Sequence, residues 1–150
     1  MALAKKSFTD LAKLLNQTPN KKNLTTEFKL KKDSSIIHLD LSNAPLGIAV
    51  RTDVFIRVML PDGSLRTVKT LPPSNTGNIS ADLGDDNYLI DKILSIFTTV
   101  AATTQSGAPC VLSLVSNLTG GAIPWANKLL KMNVNSVGDA VTFTIEVSFY

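Results

Sequence analysis

Residues 86–104 read DNYLIDKILSIFTTVAATT, and the period assigned to them decides the fold. Tyr88, Leu89, Ile93, Ile96, Phe97 and Val100 fall at helical spacing and make one broad apolar face. Asp85 and Asp86 stand at the start, where carboxylates cap free N–H groups and suit the positive end of a helix dipole. QSGAP at 105–109 supplies a glycine and a proline to end it. The spacing therefore predicts the main helix of the chain over 86–104.

The segments on either side read differently. AVTFTIEVSFY, residues 140–150, alternates Val141, Phe143, Ile145, Val147 and Phe149 with Thr142, Thr144, Glu146 and Ser148. A period of two over this length is the clearest strand signal present. A strand so placed is expected to pair inside a sheet or to offer an edge to another chain. SSIIHLDLS at 34–42 turns Ile37, Leu39 and Leu41 to one side, with His38 and Asp40 opposite. VRTDVFIRVML at 50–60 sets Val54, Ile56, Val58 and Leu60 against Arg51, Asp53, Phe55 and Arg57. PDG at 61–63 turns the chain back into SLRTVKTL. Residues 72–78, PPSNTGN, read as a loop. PCVLSLVS at 109–116 is an apolar run suited to a buried strand, and 126–134 fits helix or strand. SFTDLAKLLN at 7–16 reads as a short helix broken by Pro19. The expected class is α+β: a predominantly antiparallel sheet or sandwich, covered on one face by the 86–104 helix, with a short N-terminal helix. The expected division is a basic arm over 1–23 and one β-rich domain over 24–150.

Composition bounds what such a domain does. The 150 residues are 44% hydrophobic and only 18% charged, against about 25% charged in an average domain. Sparse charge suggests that part of the surface is covered by other subunits. The single cysteine, Cys110, excludes an intrachain disulfide and a cysteine zinc site. No apolar stretch approaches the roughly 18 residues of a membrane helix, and MALAKKSFTDLAKLL lacks the apolar core of a signal peptide.

Charge is unevenly placed. Residues 1–32 hold eight lysines against two acids, a net +6, whereas 33–150 hold seven bases against ten acids, a net −3. NKKNLTTEFKLKK, residues 20–32, holds five of those lysines. Leu24 to Lys32 alternates as a strand with Lys29 and Lys31 on its polar face. Lys5, Lys6, Lys21, Lys22, Lys29, Lys31 and Lys32 are the candidate phosphate contacts, and Arg51 and Arg57, with Arg66 and Lys69, extend them if their strands are neighbours. Phe28 points to the core, so contact with phosphates fits better than base stacking.

Catalytic signatures are missing. His38 is the one histidine and Asp40 shares its strand face, but no nucleophile elbow accompanies them. Cys110 sits in an apolar strand and reads as a small buried hydrophobe. Asp82, Asp85 and Asp86 gather carboxylates without the spacing of a calcium loop. TGG at 119–121 lacks the lysine of a phosphate-binding loop and reads as a turn. The chain is expected to be a non-enzyme without metal or cofactor.

A Lys-rich N-terminal arm followed by a compact β-rich domain heavy in Ser, Thr and Asn, closing on VTFTIEVSFY, resembles the layout of small coat proteins of RNA viruses and phages. The resemblance implies self-assembly into a shell in the virion, put together in the host cytoplasm, with basic residues holding nucleic acid without reading its sequence. The partners implied are other copies of the chain and nucleic acid, with no membrane. The same closing strand and single internal helix also resemble phage tail-tube proteins, which implies rings without nucleic-acid binding. A non-assembling RNA- or DNA-binding module is the remaining alternative.

Overall fold

The computed structural model describes residues 21–43, 47–74, 78–102, 110–122, 128–134 and 140–150. The N-terminal helix expected over 7–16 and most of the arm lie outside them. Nine strands follow in chain order: β1 Lys21–Phe28, β2 Ile37–Asn43, β3 Gly47–Met59, β4 Leu65–Thr70, β5 Ile79–Gly84, β6 Lys92–Ala102, β7 Cys110–Thr119, β8 Lys128–Val134 and β9 Ala140–Phe149. The one described helix, α1, is a single turn at Asp86–Leu89. Sheet A has the order β1-β9-β6-β3-β4 and sheet B the order β5-β2-β7-β8. All neighbours are antiparallel except β1 and β9, which run parallel.

The fold is thus nearly all β, not α+β, and the expected helix over 86–104 is corrected to one helical turn followed by an eleven-residue strand. The physical reason is local. Asp85 caps the turn by accepting the Tyr88 backbone N–H at 2.9 Å. Asp91 then takes a left-handed conformation (φ 60°), which ends the helix and redirects the chain. Beyond it, Ile93, Ile96, Thr98, Thr99 and Val100 are β-branched and favour the extended chain. Leu94, Ile96, Thr98 and Val100 are all buried on one side, which is the period-two pattern. The helical stripe was legible because Ile93 and Phe97 lie on the opposite side and are themselves partly covered.

A second sheet, in place of the expected helix, covers the inner face. β1 lies over β8, β6 over β7 and β3 over β2, which leaves β4 and β5 together on the other flank. Val141, Phe143, Ile145, Val147 and Phe149 of β9 meet Ile37, Leu39 and Leu41 of β2, Leu114 and Leu118 of β7, and Val54 and Ile56 of β3 in one core. Phe28 closes one end, edge-on to Phe149 with ring centroids 5.8 Å apart. Gly120 and Gly121 fit against this end. A Cβ on Gly120, already at φ +98°, would meet the Ile36 carbonyl oxygen at 2.5 Å, and one on Gly121 would meet the Phe28 ring at 2.5 Å. The TGG segment is a packing turn.

β5 fell inside no expected strand. ISADLG is short and carries Gly84, Ala81 and Asp82, all poor strand formers, and it is held in place by pairing with β2. β1 starts and ends earlier than the alternation of 24–32 suggested, so Lys21–Asn23 belong to the sheet and Lys29–Lys32 follow it. No helix among the described residues is long and apolar enough to cross a membrane.

Candidate functional site

The folded chain divides the basic run. Lys21 and Lys22 are exposed at the start of β1, and Lys29, Lys31 and Lys32 are exposed past its end. Eight strand residues separate the groups by about 25 Å. Lys5 and Lys6 lie outside the described residues. Lys31 is also engaged, its Nζ 3.6 Å from the Asp33 carboxylate. The Ser35 hydroxyl and backbone N–H, with Lys31, hold the Asp33 carboxyl below the usual carboxylate range.

Arg51 and Arg57 do share a sheet with the lysine-bearing strand, but β9 and β6 stand between, a span of roughly 14 Å. Arg51 Nε donates to both Asp53 oxygens at 2.9 Å. The Arg57 guanidinium lies 5.1 Å from the Phe55 ring centroid and 5.3 Å from that of Phe97. Its Nε is buried without a hydrogen-bond partner, as is the hydroxyl of Ser95 beside it. Phe97 was assigned to a helix face by its spacing, so its meeting with Phe55 and Arg57 was not foreseen.

These side chains sit on the outer face of sheet A. Next to them a groove of about 500 Å³ runs between Lys21, Asn23, Phe97, Thr142, Thr144 and Glu146. Register places Lys21, Arg51 and Arg57 on this face together with Glu27, Asp53 and Glu146. Three cations against three carboxylates make a balanced surface.

The outer face of sheet B holds a different arrangement. His38 Nδ1 is 2.7 Å from Asp82 Oδ1, and its Nε2 is 2.8 Å from Ser80 Oγ and 3.4 Å from Asp40 Oδ1. The expected orienter, Asp40, is thus joined by a closer one from β5, placed there by the His38–Asp82 register. Sequence adjacency gave no signal for it. The Ser80–His38–Asp82 row has the connectivity of a hydrolytic triad. The Asp82 hydrogen bond first, then the charges of Asp40 and Asp82, raise the His38 pKa above its ordinary value. When the ring is protonated, Nδ1–H donates to Asp82 and Nε2–H to Ser80, which makes Ser80 an acceptor. Asp82 and Asp40 also approach opposite nitrogens of the ring, which suits a clamped cation and not a shared metal.

The remaining candidates have separate duties. Asp82 binds His38, Asp85 caps α1, and Asp86 accepts the Ser34 backbone N–H at 3.1 Å. Among the described residues no group of three His, Cys, Asp or Glu side chains is placed to hold a metal ion. Cys110 opens β7, and the burial expected of its thiol lies outside the described side chains. Compared with protein-family models, with curated proteins and with solved structures, the chain matches none.

Proposed function

We propose that the protein is a self-assembling structural subunit of the coat-protein kind, and that lysines around β1 hold nucleic acid through its phosphates. The observation that carries the assembly half is the state of the sheet ends. Both sheets stop at strands, β1, β4, β5 and β8, whose outer sides have no partner strand among the described residues. At the β3–β4 end, Met59 is 62% exposed and Leu65 and Val68 more than a third exposed, which is apolar surface next to an open edge. Low overall charge agrees with this. The nucleic-acid half rests on Lys21, Lys22, Lys29, Lys31 and Lys32, all exposed, following Lys5 and Lys6 in sequence. Under this reading the partners are copies of the chain and nucleic acid of any sequence, the place is a virion formed in the host cytoplasm, and no catalytic step is involved.

A second reading is a ring- or tube-forming protein without nucleic acid. It is favoured by the acids that already answer Lys31 and Arg51. One experiment separates the two: size-exclusion chromatography of the full chain with light scattering and the 260/280 nm absorbance ratio. A particle of many subunits with a high ratio is expected. A large species with a protein-like ratio moves the assignment to the second reading. A monomer at every concentration and salt tested overturns both.

A further inference from the structure

We propose that Arg66, Lys69 and Lys92 form a phosphate-binding site around the ring of Tyr88. Its ligand is the backbone of a nucleic-acid strand, a choice that rests on the nucleic-acid reading above. Register brings the three cations together. Val58 of β3 pairs with Arg66 of β4 on one side and with Lys92 of β6 on the other, which sets those two about 10 Å apart in one row. Lys69 and Leu94 pair with Ile56 in the next row on the same face. That face carries Ile56 and Leu94 into the core, and the three bases stand at its margin. α1 brings Tyr88 to them: Lys92 Nζ lies 4.6 Å and Lys69 Nζ 5.7 Å from the ring centroid. Lys92 also donates to the Tyr88 carbonyl oxygen. The ring is seated on Gly84 at the end of β5, where a Cβ would come within 2.8 Å of it.

The cations lack an acid. No ion pair among the described residues includes Arg66, Lys69 or Lys92. Asp62 accepts from Ser64, Asp82 from His38, Asp85 from the Tyr88 backbone and Asp86 from that of Ser34. Asp91, beside Lys92 in sequence, is exposed and is in none of those ion pairs. Lys69 and Lys92 are half-buried, so their like charges are held where water screens them less. The Tyr88 ring offsets part of that cost, and a bound anion would offset more. Inward-pointing bases also keep an edge strand from pairing, which accounts for Arg66 and Lys69 on β4. It does not account for Lys92, because β6 is inside the sheet, or for the tyrosine that both lysines share. An arginine fork beside two ammonium groups suits phosphate oxygens and reads no base.

The test titrates the full-length protein with a labelled single-stranded oligonucleotide of mixed sequence over a salt series, and separately with pyrophosphate. Arg66→Gln with Lys69→Gln is expected to weaken oligonucleotide binding roughly tenfold and to flatten its salt dependence. Lys69→Gln alone should cost more than Lys131→Gln, which removes the same charge from an exposed position on β8. Lys92→Gln is read beside them, with thermal melting to show that each variant is folded. Equal effects at Lys69 and Lys131, with wild-type binding by the Arg66–Lys69 double variant, overturn the site. A loss in Lys21→Gln with Lys22→Gln would then leave the nucleic-acid reading standing without it. A wild type that ignores the oligonucleotide but binds pyrophosphate through Arg66 and Lys69 keeps the site, assigns it to free phosphate and removes the nucleic-acid reading. Binding of neither ligand overturns both.

Discussion

β9 and β6 lie side by side in the middle of sheet A, yet only one of them looks like a strand in the sequence. Their inner faces are equivalent: Ile145 of β9 pairs with Ile96 of β6, and both are essentially inaccessible. Their outer faces are not. β9 turns Thr142, Thr144, Glu146 and Ser148 outward, so polar and apolar residues alternate cleanly. β6 turns Ile93, Ser95, Phe97 and Thr99 outward, beneath Arg57 and Phe55. Alternation records a strand with one wet face. Where side chains from the neighbouring strand cover the second face as well, the signal fades and a helical stripe emerges by chance.

The largest effects are expected on the shared inner face. Ile96→Ala and Ile145→Ala should each cost about 2–5 kcal/mol, since both delete buried methyl groups where the packing cannot close. Chemical denaturation of the two variants checks this. A cost below 1 kcal/mol for either would break the equivalence and would mean that its strand packs loosely against sheet B.

The outer face should separate the strands. Phe97 and Thr144 are cross-strand partners, so substitution at one register position compares like with like. Phe97→Ala loses the tilted contact with Phe55, at 6.0 Å between centroids, and the cation–π contact with Arg57. A cost of roughly 1–3 kcal/mol is expected. Thr144→Ala should stay within about 0.5 kcal/mol. Equal costs would mean that the aromatic–arginine cover contributes nothing to β6, and the account of its hidden periodicity would fail with it.

The same contrast explains how far the sequence could be read. β2, β3 and β9 were legible from their alternation, and the β3–β4 hairpin from its PDG turn. The cap at Asp85 was legible too, because capping is local. What followed the cap was not, since it depended on Asp91 turning left-handed and on side chains from β3. β5 was hidden by weak strand formers held in place by β2. The candidate site shows the same limit. Lys29 and Lys31 form one run with Lys21 and Lys22 in the sequence, and a strand's length parts them in space. The partner of His38 is 44 residues away, and only the β2–β5 register brings it near.

The smallest expected effect sharpens the comparison by moving to sheet B, whose outer face is held by charge where that of sheet A is held by ring contacts. His38 faces Asp82 across the β2–β5 pair and Asp40 along its own strand, while its neighbour on β7 is the uncharged Thr119. Its pKa in the folded protein is raised by the Asp82 hydrogen bond above the unfolded value of about 6.5. The protonated ring is therefore bound more favourably in the folded state than in the unfolded chain. Its contribution to stability is full below about pH 6.5 and disappears as pH rises through the elevated folded value. The melting temperature of the wild type should thus fall, relative to a His38→Gln variant, as pH is raised across that window. Phe97→Ala, on the other sheet, should follow the wild-type pH profile at a lower temperature throughout. Parallel profiles for wild type and His38→Gln would show that the two carboxylates do not favour the charged ring.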